Sequence, residues 1–500
     1  MSKNVLPRNS EFSARLFLPA DDEWRIAMRL AMSSECAFNI LRQPLLPIIP
    51  LRGSNMKSAR EFLVYMAIFS VAAISAFSGD LKDTIKKDYD AHLGALFEHF
   101  HRHPELSLLE TKTAARLANE LRTAGFEVTE NVGGTGIVAM MRNGEGPLVM
   151  MRADMDGLPV KEKSGLPIAS VVMQKDWDGN EVPVMHACGH DVHITSLVGT
   201  AHLMSESRNE WSGTLMLIGQ PAEERVVGAR MMMEDRLWDR FGQPDYALAF
   251  HVSSAVPTGK LVAVEGSPYS GADTVDIIIH GVGAHGAAPH RGVDPIVLGS
   301  QIVLALQTIV SRTLAPREAG VITVGSFHSG TKHNIIPDRA QLQLTVRNDN
   351  LATRNLLLAG IKRVAVNMGR VAGLPDDKLP EVIISQEGVP PTINDLALTR
   401  RLRGVWSEKL GNDIFFEKKR ESMGAEDFPF FTTDPAIPST YFAVGGTPAE
   451  DFEREKSGGA PVPSHHSPLF KVDAEASVRL GVEATVHALQ ELLQFRTRNE

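Results

Sequence analysis

The chain is predicted to be an α/β protein with a smaller α+β domain inserted into it. Three observations predict this. Short apolar runs alternate with segments of helical spacing from Thr135 to His251, the order that builds a largely parallel sheet. A strand-helix-strand-strand-helix sequence between about 268 and 386 interrupts that alternation and reads as a separate small unit. Carboxylates and histidines stand just beyond several of the strands, where open α/β sheets gather their sites.

From Leu81 to about Val128 the apolar positions recur at helical spacing; His103-Pro104 breaks one helix and Glu110 to Arg122 opens another. Thr135 to Met141 and Pro147 to Met151 read as strands, the second delivering Asp154 and Asp156 at its C-terminal end. Ile194 to Met204 is predicted as a helix, Thr214 to Gly219 as a buried strand, and Tyr246 to His251 as a strand that His251 ends. Thr274 to His280 sets Val275, Ile277 and Ile279 against Asp276, Ile278 and His280, a period of two. A long apolar helix from Pro295 to Val310 follows, then strands Gly320 to Gly325 and Ala340 to Val346, and a helix from about Ala352 to Met368. The last helix runs from Ala474 to Leu493. The larger domain is therefore expected over 79–267 and 387–500, and the inserted one over 268–386.

With 500 residues, 43% hydrophobic and 22% charged, the chain is long enough for two cores. Its net charge of -9 offers no basic footprint for nucleic acid, so small molecules or proteins are the expected partners. Lys57 and Arg60, the apolar run Phe62 to Phe77, and small residues up to Gly79 follow the order of a secretory signal over 56–78. Export, periplasmic or secreted, is expected; an uncleaved membrane anchor or a cytoplasmic chain is the alternative. Residues 1–55 form an extension that a misassigned upstream start would explain. Of the two cysteines, Cys36 lies in the part that would be lost, and Cys188, set between histidines, suits metal ligation better than redox pairing.

His186 to His193 packs a thiol, three imidazoles and a carboxylate into eight residues, the donor chemistry of a transition-metal site. Glu223 and Glu224 follow a buried strand with a proline behind them, and His465-His466 precede Ser467-Pro468. Adjacent glutamates are usually a solvated pair, but at a site one can bind metal while the other moves a proton.

Six segments carry a resemblance: Met151 to Pro159, His186 to His193, Gln220 to Glu224, Gly283 to His290, Met423 to Phe428, and His466-Ser467-Pro468. Together, from about Leu81 to Leu493, they resemble the co-catalytic metallopeptidase family of carboxypeptidase G and aminoacylase, in its amidohydrolase branch of hippurate hydrolases, N-acetyl-diaminopimelate deacetylases and auxin-conjugate hydrolases. The resemblance implies a metal-dependent exopeptidase-like catalytic domain with an inserted lid through which the chain forms a homodimer. It further implies that Cys188, His190, Glu224, His251 and His466 bind metal, with Glu223 as catalytic base. Asp156 orients a ligand behind the metals, and His186, His193 and His465 support the site or the structure. His285 is implied to stabilise the oxyanion from the partner subunit, and Asn334 and Arg347 to hold the substrate carboxylate; for Arg347 the plain alternative is a surface arginine on a strand. Five donors exceed the needs of one zinc, so two divalent ions fit better than one. Zinc or manganese is expected, and cobalt could also activate. In one departure, Arg225-Val226-Val227 stands where the family usually has glycines.

These readings lead to hydrolysis of the amide bond of N-acyl amino acids by metal-activated water. A carboxypeptidase or dipeptidase of short peptides is the alternative. A cysteine hydrolase using Cys188 would leave Glu224, His251 and His466 unexplained, and a non-catalytic binding protein would be expected to lose Glu223 or a ligand.

Overall fold

The computed structural model describes residues 81–417, 420 and 422–494, all within the unit Gly79–Glu500; the extension 1–55 and the signal-like segment 56–78 lie outside the described residues. Seven strands form the main sheet in the order Glu127–Val132, Gly136–Asn143, Gly213–Gln220, Leu148–Asp154, Tyr246–Pro257, Ser439–Thr447 and Leu261–Val262. The central four run parallel, and the outer pairings are antiparallel. Parallel strands are covered on both faces and so read as continuous apolar runs. Here Val149, Met151 and Ala153 enter one core with Leu217, Phe250 and Phe442. Met150, Ile218, Ala249 and Tyr441 enter a second core on the opposite face. The first core is closed by the helices Thr111–Thr123, His190–Glu206, Leu396–Leu410 and Ala474–Leu492.

Helix His190–Glu206 begins earlier than its periodicity predicts. Gly189 adopts φ +88°, which ends the approach from Cys188 and lets His190 open the first turn. The strand Tyr246–Pro257 also differs from its prediction: it continues past His251, which lies in mid-strand rather than at an end. The reason is pairing. Leu148–Asp154 stays in register with it only as far as Ala249, whereas Ser439–Thr447 follows it to Ser253 and beyond. His251 therefore occupies a step where one neighbour has already left the ladder. Glu127–Val132, predicted in part as helix, instead pairs with Gly136–Asn143.

A second, four-stranded antiparallel sheet has the order Gly320–Ser329, Arg339–Asn348, Gly271–His280 and Glu381–Ile384. Helices Pro295–Thr308 and Leu351–Val371 pack with it around a core of their own, including Ile277, Ile302, Leu342 and Ile361.

Gly189 gives a direct test of how the site is positioned. A Cβ there would lie 2.4 Å from Val252 Cγ1. Adding the left-handed backbone cost to the overpacking, Gly189→Ala should lower the unfolding free energy by about 2–4 kcal/mol, read from urea melts.

Candidate metal centre

Polar groups gather at the C-terminal ends of otherwise apolar strands. Arg152 is fully buried; it donates to Asp154 Oδ2 at 2.6 Å, Glu426 Oε1 at 2.8 Å and Gln220 Oε1 at 2.7 Å, and lies 3.4 Å from Asp427 Oδ1. Asp154 in turn holds His193 Nδ1 at 2.5 Å, and His193 Nε2 accepts from the Val252 amide at 2.8 Å. Both nitrogens of His193 are thus engaged, in keeping with a supporting position.

Beside this network the five expected donors converge. Cys188, His190 and His251 present ligand atoms within 4.8 Å of one another, and so do Cys188, Glu224 and His466. Cys188 Sγ is 3.4 Å from His251 Nε2, and His466 Nε2 is 3.3 Å from Glu224 Oε2. Cys188 belongs to both trios. His190 Nε2 lies 3.9 Å from Glu224 Oε1 and 3.8 Å from Glu223 Oε2. Asp156 stands behind: it lies 3.3 Å from His190 Nδ1 and accepts from the amides of Glu223 and Glu224 and from Ser107.

The glutamate pair sits in a constrained turn. Ala222 and Val226 flank it with φ +50° and +58°, a conformation that side chains resist, β-branched ones most. Asp156 fixes the amides, Glu110 accepts from the Ala222 amide at 2.8 Å, and Arg225 stacks 4.2 Å from the Trp177 ring centroid. Gly228 closes the turn so tightly that a Cβ would come within 1.6 Å of Pro221 O.

Charge decides what this space can hold. Asp154, Asp156, Glu223, Glu224, Glu426 and Asp427 converge where Arg152 is the buried guanidinium. Burial, with Glu224, Glu223 and Asp154, pushes the Cys188 thiol well up; burial, with Glu426 and Glu224, does the same to Glu223. His190 Nε2 and Glu224 Oε1 are buried without a hydrogen-bond partner. Excess buried negative charge, orphaned imidazole and carboxylate atoms, and a shared thiol are the donor set of divalent cations, so the residues fit a metal pair.

The remaining expected residues lie within Gly271–Asn348, the segment that supplies three strands of the four-stranded sheet. His285 pairs with Ile335, and the Gly286 amide donates to Asn334 O at 2.9 Å, so His285 and Asn334 are neighbours, both exposed. Arg347 is half-buried in Arg339–Asn348 and donates to Thr345 and the Val346 carbonyl. Among the described residues, no hydrogen bond or ion pair joins these three to the buried donors. Sequence reasoning missed the roles of Arg152, Glu426, Asp427 and Tyr441. A charged residue inside an apolar strand was the available signal for Arg152.

An α/β sheet that gathers Cys, His and Glu donors around one space, from a mid-strand position and from the segments that follow its strands, has the build of a metal-dependent hydrolase. Residues 150–490 match the model of peptidase family M20/M25/M40, and the chain belongs to that family. It is 35% identical over 393 residues to thermostable carboxypeptidase 1 of Saccharolobus solfataricus, covering 78% of this chain and 92% of that one. It is 34% identical to the hippurate hydrolase of Campylobacter jejuni over 352 residues, covering 69% and 86%. Its structure is similar to Bacillus subtilis YXEP, a dinuclear metal binding peptidase of the M20 family, with TM-score 0.66, 27% identity, and coverage of 81% and 99%.

Two predictions come from the buried charges. Arg152→Met should destabilise the fold by about 3–5 kcal/mol, because it leaves buried carboxylates without their cation; chemical denaturation measures this. His101 bonds Asp191, the residue after His190, at 2.7 Å and Glu162 at 3.2 Å. Burial alone would lower its pKa, but these two carboxylates raise it from 6.5 to about 10. Its contribution to stability is then complete below pH 6.5 and is lost as pH rises through about 10. The gap in melting temperature between the parent and His101→Asn should accordingly shrink from about pH 7 to about pH 10.

Proposed function

We propose that this chain hydrolyses the amide bond of N-acyl amino acids, with two divalent ions held by Cys188, His190, Glu224, His251 and His466. The observation that carries this reading is Glu223: its carboxylate lies 3.8 Å from His190 beside the donor set, yet makes no hydrogen bond among the described residues. With divalent cations beside it to offset the burial and the carboxylates that raise its pKa, it would be ionised and available for proton transfer. Bound divalent ions, zinc or manganese with cobalt as an active substitute, supply Lewis acidity toward an amide carbonyl and a lowered pKa for water. Glu223 takes a proton from the attacking water and returns it to the leaving nitrogen. Asp156 fixes the Glu223 and Glu224 amides, so base and ligand keep a constant offset.

The segment 268–386 acts in this reading as lid and dimerisation domain. His285, reaching in from the partner subunit, donates to the developing oxyanion. Asn334 and the planar fork of Arg347 receive the substrate carboxylate. Exposed Ile296, Val297 and Leu304 on helix Pro295–Thr308, with the free edge of Gly320–Ser329, support pairing between copies. Export through the segment 56–78 completes the proposal. Cleavage of short peptides is the second reading, favoured by the similarity to thermostable carboxypeptidase 1.

The test is a panel of N-acetyl, N-benzoyl and long-chain acyl amino acids with two dipeptides, assayed before and after chelation and with zinc, manganese or cobalt restored. Metal-restorable release of amino acid from the acyl conjugates is expected, and activity confined to the dipeptides would favour the second reading. Glu223→Gln should keep its metal content while kcat falls by about 10²–10⁴-fold; near-native turnover would place the base elsewhere.

A further inference from the structure

A second group of metal-ligating side chains lies on three helical segments away from the centre described above. His92 belongs to the turn Tyr89–Leu93, Glu120 to helix Thr111–Thr123, and His202 to the far part of helix His190–Glu206. At about 1.5 Å per residue, His202 is about 18 Å along that helix from His190. One ligand atom from each of the three lies within 4.8 Å of the others. His92 Nε2 is 2.9 Å from Glu120 Oε2, and the His92 and His202 ring centroids are 5.6 Å apart.

The outer partners divide the donor atoms as a metal site requires. Arg116 Nε donates to Glu120 Oε1 at 2.7 Å, leaving Oε2 on the inner side with His92. Asp88 Oδ2 holds His202 Nδ1 at 3.0 Å, so the other ring nitrogen is left for a ligand. A carboxylate behind a ligating histidine fixes its tautomer and raises its basicity. Zinc bonds of about 2.0–2.1 Å set tetrahedral donors about 3.3 Å apart, a spacing that small side-chain rotations reach here. The side chains of His92, Glu120 and His202 are 38%, 9% and 21% exposed, so ion and water can enter and water can fill the fourth position.

We propose that His92, Glu120 and His202 form a separate zinc site that ties the N-terminal helical segment and helix Thr111–Thr123 to helix His190–Glu206. It does not depend on the catalytic reading.

The experiment uses the full chain with its catalytic centre loaded, dialysed against micromolar free zinc and compared with His92→Asn/His202→Asn. One more zinc per chain is expected in the parent than in the variant, together with a zinc-dependent rise of several degrees in melting temperature in the parent alone. A native circular-dichroism spectrum and a single cooperative melt show that the variant has folded. Equal zinc content in the two proteins, or an equal thermal response, overturns the proposal. Should the double variant fail to fold, His92→Asn alone, altering the most exposed ring, is expected to weaken the additional zinc by at least about tenfold; unchanged affinity overturns the site.

Discussion

A single buried guanidinium organises the catalytic half of this molecule. Arg152 has no access to solvent, so each of its donors must find an acceptor inside the protein. Its partners come from the strand Leu148–Asp154, from Gln220 on the next strand, and from Glu426 and Asp427 on a distant loop. Those partners reach outward in turn. Gln220 donates to Asp427 at 2.6 Å, Asp427 accepts from the Ala229 amide at 3.0 Å, and Tyr441 donates to Glu426 at 2.7 Å. The network thereby links the strand ends, the helix after the glutamate turn, and the loop before Phe428. Each carboxylate in the network has more than one partner, and Arg152 is the cation they share, so these segments keep a common arrangement.

The donors suited to metal are built on top of this layer rather than within it. Asp154 directs its oxygens to Arg152 and His193, while Asp156 serves His190, Ser107 and two backbone amides. Neither is free to wander toward an ion. The division leaves Cys188, His190, Glu224, His251 and His466 drawn together from four parts of the chain: the start of helix His190–Glu206, the glutamate turn, a mid-strand position and a late loop.

Much of this was legible in the sequence, because its signals were local. The period of two in Thr274 to His280, the helix from Ala474, and the Cys-Gly-His step each depend on a few adjacent residues. The start of helix His190–Glu206 was hidden because Gly189 sets it through a backbone angle. His251 was placed at a strand end because its neighbours become polar, whereas pairing with Ser439–Thr447 carries the strand onward. Glu426 and Asp427 stood inside a quoted motif, but their duty depends on a guanidinium 274 and 275 positions away. No local pattern carries that information. His285, Asn334 and Arg347 present a similar difficulty: they stand within the segment of the four-stranded sheet, and their immediate neighbours in sequence do not say what they face.

The turn that carries Glu223 and Glu224 also has a bearing on how this protein can diverge. Gly228 cannot accept a side chain against Pro221, and Ala222 and Val226 already occupy a conformation hostile to bulk. Glu223 and Glu224 are hemmed in by the buried donors around them. Arg225 is different, because it is exposed and touches Trp177 from outside. Sequence change in this turn is thus confined to Arg225 and its contact Trp177, the positions where a different side chain leaves the buried groups in place.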